Sequence, residues 1–152
     1  IINYSEETEL VQEMALIAIE ELEHFKMVHD MMVKRGMTLG RAQKNDYAIH
    51  VQGYFPKTKD RSESLIQRLL VAALIEARSC ERFKVFADNM EDEELSKFYL
   101  ELMVSEANHY VTFLNFARKY QDRKIVDEKW KGLVSYEGKF MKSRGIKAKV
   151  HG

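Results

Sequence analysis

The stretch Leu102-Met103-Val104-Ser105-Glu106-Ala107-Asn108-His109-Tyr110-Val111-Thr112-Phe113 decides how this chain folds. Leu95, Phe98, Leu102, Phe113 and Phe116 recur at helical spacing and mark one apolar stripe, yet Glu106 and His109 stand on that stripe where it should continue. Residues three apart on a helix share a face, so a carboxylate oxygen and an imidazole nitrogen from one turn can reach a common cation. The pattern is repeated upstream. Glu21-Leu22-Glu23-His24 lies in a helical stretch whose stripe reads Leu10, Met14, Ile17, then Phe25, Val28 and Met31 or Met32. A lone Glu76 sits thirty residues before the second pair, flanked by Leu65, Leu69, Ala72, Ala73, Cys80 and Phe83.

A single Glu-x-x-His on a charged helix reads as a solvated face. Two copies plus Glu76, all on apolar stripes, do not. A buried carboxylate without compensation costs several kcal/mol or protonates, so several converging on one core imply a cation. Four-helix bundles that hold paired iron or manganese ions take a Glu from each of two helices and a Glu-x-x-His from each of the other two. Three of those four contributions are present: Glu21 with His24, Glu76, and Glu106 with His109. The expected fold is all-α, a ferritin-like four-helix bundle with an extra C-terminal helix, and the expected organisation is one domain over residues 1–152.

The fourth carboxylate is open to two readings. The chain begins with Ile1 rather than Met, and Asn3-Tyr4-Ser5 already reads as the approach to a helix that Ser5 can cap. On that reading the first bundle helix and its glutamate precede Ile1. On the other, Glu13, Glu20 or Glu81 completes the set from helices that already supply ligands.

Little in the composition interrupts helices, since Pro56 is the only proline among 152 residues and glycines number seven. A lone Cys80 rules out an internal disulfide and fits a reducing compartment. No apolar run approaches a membrane span and no signal peptide is visible, so the cytoplasm is the expected location. The first helix is expected over Glu6 to Lys34, closed by Arg35-Gly36 with glycine in a left-handed cap. A connector from Met37 to Arg61 includes a short helical piece around Asp46 to Val51. Ser62 or Ser64 opens the helix carrying Glu76, which runs to about Ala87. The acidic run from Glu91 to Glu94 starts the next, which ends near Tyr120. A last amphipathic helix spans about Val126 to Lys142, with Trp130, Leu133, Val134 and Phe140 on one side.

The run Leu69-Leu70-Val71-Ala72-Ala73-Leu74-Ile75-Glu76-Ala77-Arg78-Ser79-Cys80-Glu81-Arg82-Phe83, with Lys97-Phe98-Tyr99 and Ser105-Glu106-Ala107-Asn108-His109-Tyr110, resembles the tRNA 2-methylthio-N6-isopentenyladenosine hydroxylases, the MiaE family. Glu20-Glu21-Leu22-Glu23-His24-Phe25 and Arg35-Gly36-Met37-Thr38-Leu39-Gly40 resemble the same family. The likeness covers essentially the whole chain; the departure from the family pattern is the absent first helix with its glutamate, and the C-terminal residues match less clearly. The resemblance implies a non-haem di-iron monooxygenase that uses dioxygen and two electrons from an unidentified donor to hydroxylate the isopentenyl group of a hypermodified adenosine beside the tRNA anticodon. It implies that His24 binds one iron and His109 the other, that Glu21 and Glu106 bridge them, and that Glu76 is terminal on the His109 iron. Carboxylates and imidazoles suit iron in two oxidation states.

Charge is distributed unevenly. Net charge is zero, yet Arg118 to Gly152 carries eleven Lys and Arg against four Asp and Glu, leaving thirteen against twenty in the rest. Lys139, Lys142, Arg144, Lys147 and Lys149 are therefore candidate tRNA contacts, against the reading that a lysine-rich tail only solubilises. Trp130 and Tyr136 have the faces to stack on bases, but at helical spacing they read as core. Cys80 reads as a small core residue rather than a ligand. His29 and His50 read as surface residues, and Arg78 and Arg82 as partners of Glu81 or neighbouring acids on the outer face. Two other functions fit the same ligands: an iron-storage or peroxide-scavenging protein, and a structural bundle whose metal site is vestigial.

Overall fold

A computed structural model describes residues 2–41 and 44–144. The described residues form a short 3-10 turn, Ile2–Tyr4, and five α-helices: α1 (Thr8–Lys34), α2 (Asp46–Gln52), α3 (Arg61–Asn89), α4 (Glu93–Tyr120) and α5 (Arg123–Arg144). They divide into two compact units, residues 1–44 and 45–152.

The first unit is α1 and its flanks. Ser5 does not cap the helix. The backbone N–H of Glu7 donates to the Tyr4 carbonyl at 3.0 Å, which closes the 3-10 turn and delays the helix, and Glu7 holds the N-cap position without a side-chain capping bond to the first turn. At the other end Gly36, at φ 69°, closes the helix as expected: its N–H donates to the Val33 carbonyl and that of Met37 to the Met32 carbonyl. This double closure needs a left-handed residue, which glycine adopts without a Cβ penalty. Leu10 and Ile17 are buried and Met14 half-buried, but Phe25 and Val28 are exposed. Phe25 follows Glu21 by four residues and Val28 follows His24 by four, so both keep the direction of the stripe, and the described residues of this unit hold no second α-helix to cover them. A second apolar strip, Leu16, Ile19, Leu22 and Phe25, is 55 to 70% exposed.

In the second unit, α3 and α4 are long helices joined by only three residues, Met90 to Asp92, so they run antiparallel and pack along their lengths. Leu65, Leu69 and Ala73 of α3 and Leu102, Phe113 and Phe116 of α4 are buried, as their spacing predicts. Each helix of this unit opens on an Asn or Asp whose side chain accepts from its first turn. Asn45 accepts from Ala48 N–H, Asp60 from Glu63, Asp92 from Glu94 and Leu95, and Asp122 from Lys124 and Ile125. Asp60 therefore starts α3 ahead of Ser62 and Ser64, and Asp122 starts α5 three residues before Val126.

α5 returns along α4, where Arg118 chelates Asp127 and the Trp130 ring lies 5.7 Å from Tyr110. It reaches α3 through Lys129 to Glu63 and Arg78 to Glu137. α2 sits against the second half of α5. Its Tyr47 and Val51 are buried, and the His50 ring is stacked between Tyr136 at 4.4 Å and Phe140 at 3.6 Å. His50 is thus part of the packing rather than a surface residue. Gly132 of α5 is required by close approach: a Cβ there would lie 2.2 Å from the Tyr54 hydroxyl.

Candidate metal centre

α3 carries Glu76 and α4 carries Glu106 and His109 one turn apart. Because the two helices are antiparallel and in contact, all three side chains meet between them. A carboxylate oxygen of Glu76, one of Glu106 and a ring nitrogen of His109 lie within 4.8 Å of one another. Glu106 is 6% exposed and His109 2%. Two carboxylates held this close in a water-poor space repel, and a cation shared between them turns the repulsion into attraction. The donors are hard carboxylate oxygens and one imidazole, a set that suits iron or manganese and offers no soft sulfur. Cys80, one turn beyond Glu76, does not change that. Burial pushes its thiol up, and the charges of Glu106 and Glu81 push it further, so it stays protonated and fills space.

In the first unit, His24 and Glu21 share one face of α1. His24 Nδ1 is 3.6 Å from a Glu21 carboxylate oxygen, and the side chains are 16% and 44% exposed. The spacing of three residues produces this proximity directly.

A second buried polar group lies in the same unit as Glu76, Glu106 and His109. Glu137 of α5 is completely buried. Arg78 of α3 grips it with two hydrogen bonds, Nε to Oε1 at 2.9 Å and Nη2 to Oε2 at 2.7 Å, and the Tyr47 hydroxyl donates to Oε1 at 3.3 Å. The planar guanidinium matches the carboxylate, which is how a buried ion pair can offset its desolvation. Burial alone would lower the Arg78 pKa, but its bonds to Glu137 and Glu81 outweigh that and hold it above the usual range. Burial, then the Glu137 charge, pushes the Tyr47 hydroxyl well up. Arg78 does pair with Glu81 on the outer face as expected, but its principal partner is inside. Arg82, one turn on, is pushed down by burial and reaches Ser79 Oγ at 3.5 Å. The sequence signal for Glu137 was available: it stands four residues after Leu133 and three before Phe140, on the buried stripe of α5.

The candidate RNA contacts divide. Lys139 and Lys142 are exposed on α5, whereas the side chain of Arg144 and both Lys147 and Lys149 lie outside the described residues. Trp130 and Tyr136 are half-buried, against Tyr110 and His50 respectively. No helix among the described residues is long and apolar enough to cross a membrane.

Residues 1–152 match the family model described as tRNA-(MS[2]IO[6]A)-hydroxylase (MiaE). A protein of Pseudomonas putida named tRNA 2-(methylsulfanyl)-N(6)-isopentenyladenosine(37) hydroxylase is 37% identical over 122 residues, which are 80% of this chain and 58% of that protein. A Salmonella typhimurium protein of the same name is 38% identical over 112 residues, 73% of this chain and 40% of that one. The chain thus spans about half the length of the curated relatives it matches. Among solved structures, Protein 43 with aldehyde deformylating oxygenase activity from Synechococcus superposes with a TM-score of 0.88 at 28% identity, covering 99% of this chain and 73% of that one. The fold is all-α and of the ferritin-like class.

Proposed function

The chain belongs to the MiaE family of tRNA hydroxylases, and from that premise we propose that it carries the di-iron centre of an oxygen-dependent enzyme that hydroxylates the isopentenyl group of 2-methylthio-N6-isopentenyladenosine next to the tRNA anticodon. The observation that carries this reading is the convergence of Glu76, Glu106 and His109 inside the α3–α4 hairpin. Glu76, Glu106 and His109 would hold the metal between α3 and α4, and the family resemblance would add Glu21 and His24 of α1, with His109 and His24 each serving one iron, Glu106 and Glu21 shared by both and Glu76 serving the His109 iron. A C–H bond next to an alkene has no acidic proton for a side chain to remove, and the iron pair supplies the activation of dioxygen that such a bond requires.

The chain's own contribution is placement. α3 and α4 fix three ligands on rigid helices, which is more exact than any loop could be. The apolar residues around them, Leu69, Ala73, Leu102 and Phe113, keep water from the cluster. One oxygen atom goes to the substrate carbon and the other leaves as water, with two electrons and two protons drawn from an external reductant. Such a substrate sets tRNA as the partner and the cytoplasm as the place of action.

The test is nucleoside mass analysis. The purified chain, reconstituted anaerobically with ferrous iron, is given prenylated tRNA, a chemical reductant and dioxygen. A modified adenosine heavier by one oxygen is the expected product. Peroxide consumption without any change in the nucleoside would favour the scavenging function instead, and a chain that takes up no iron would leave only a structural bundle.

A further inference from the structure

A groove of about 660 Å³ runs between residues 52–58 and one face of α3. That volume is in the range that encloses a small organic ligand. Its lining changes character along its length. Lys57 and Arg68, both exposed, stand with the polar side chains of Thr58, Ser64 and Gln67. Phe55 and Pro56 make an opposing wall, and the edge contact of Phe55 with Tyr54, at 4.7 Å, holds that ring. Val71, Ala72 and Ile75 form the far end. No acidic side chain is among the lining residues.

The far end reaches the turn of α3 that precedes Glu76. Ala72 is one helical turn before Glu76 on the same face, and Ile75 is its neighbour in sequence. At 1.5 Å per residue, Arg68 stands about 12 Å along α3 from Glu76. A ligand that fits these zones in order has an anionic group, a flat hydrogen-bonding middle and an apolar end directed at the metal centre.

We propose that this groove takes the substrate nucleotide itself, a prenylated adenosine turned out of its RNA strand. Its phosphate would lie at Lys57 and Arg68, its base beside Phe55, and its isopentenyl group along Ala72 and Ile75. The proposal rests on the hydroxylase reading above. Peroxide or a storage ion has no use for such a lining. An apolar aldehyde would use Val71, Ala72 and Ile75 but not the two cations. RNA loops are commonly read through unstacked bases held against aromatic rings, and enzymes acting on a base take it out of its stack.

The test uses the full chain and two fluorescent anticodon stem-loop RNAs, identical except that one carries 2-methylthio-N6-isopentenyladenosine and the other adenosine. Affinities are measured by anisotropy without oxygen at several salt concentrations, and hydroxylation is measured separately. The wild type should prefer the prenylated RNA. The exposed double variant Lys57→Ala/Arg68→Ala should bind both RNAs about tenfold more weakly, with a shallower salt dependence. Ala72→Leu should keep the affinity for unmodified RNA and lose the preference for the prenyl group. A wild type that hydroxylates, with both variants binding as it does, would overturn the groove while leaving the function intact. A wild type that loads iron yet neither hydroxylates nor prefers the prenylated RNA would overturn both.

Discussion

Arg78 and Glu137 face each other through two hydrogen bonds of 2.9 and 2.7 Å, and the carboxylate they bury belongs to a helix 59 residues away in sequence. Arg78 is only two residues past Glu76, so α3 presents Glu76 on one side and its anchor to α5 on nearly the opposite side. Removing one partner leaves an uncompensated buried charge. Arg78→Ala should lower the unfolding free energy by about 3 kcal/mol, whereas the double change Arg78→Met/Glu137→Leu should recover most of that loss. Urea unfolding of the three proteins checks it.

His109→Ala should lower iron content and abolish hydroxylation while leaving helicity unchanged, because in the proposed centre the imidazole serves the metal, whereas Leu102, Phe113 and Phe116 carry the core. Iron per chain and far-ultraviolet circular dichroism, measured on the same sample, separate the two effects. Full iron stoichiometry in the variant would remove His109 from the ligand set.

Gly132 gives a prediction with a change of sign. In an open helix Gly→Ala stabilises by about 1 kcal/mol. Here the new methyl group would meet the Tyr54 hydroxyl at 2.2 Å, and Tyr54 is packed against Phe55 and Tyr136. Gly132→Ala should therefore destabilise by about 1 to 3 kcal/mol in the wild type. In a Tyr54→Phe background, where the clashing oxygen is gone, the same change should stabilise. Thermal unfolding of the four proteins reads the sign directly.

Acid should weaken the α3–α5 contact. Glu63 is half-buried, and although burial raises its pKa, bonds from Lys129 and Gln67 lower it further, for a net fall below 4.5. A depressed carboxylate contributes stability that is present above its unfolded value and is lost as pH falls through the folded one. Stability should hold down to about pH 4.5 and then decline, and Lys129→Met should flatten that decline. Parallel slopes in the two proteins would show that the ion pair contributes nothing.

Replacing Lys139, Lys142, Arg144, Lys147 and Lys149 together should weaken tRNA binding and reduce its salt slope without altering iron content, since each lost phosphate contact releases fewer counterions. Unchanged affinity would assign the segment to solubility alone.

The convergence of Glu76, Glu106 and His109 was legible because charge interrupts an apolar period: each occupies a position that packing alone would give to a hydrophobe. Glu137 interrupts α5 in the same way, but its partner could not be read, since nothing local announces that Arg78 turns inward across 59 residues. Helix starts were misjudged where two capping residues compete. Asp60 wins over Ser62 because its extended backbone, at ψ 119°, sets the carboxylate over the Glu63 N–H. Phe25 and Val28 lie on the stripe yet stay exposed, because periodicity gives the direction of a face and not whether another helix covers it. His50 was misread because its aromatic neighbours come from α5, about 90 residues downstream, and stacking of that kind has no periodic signature.

The apolar strip on α1 has a consequence for how the protein behaves in solution. Leu16, Ile19, Leu22 and Phe25 are exposed on a chain whose net charge at pH 7 is zero. Without net repulsion between molecules, nothing long-ranged opposes association through such a strip. The basic stretch after Arg118 and the acidic remainder add attraction between neighbouring molecules. Salt screens that electrostatic attraction but leaves the apolar one, so colloidal stability should be poorest near neutral pH and should improve on moving the pH to either side more than on adding salt.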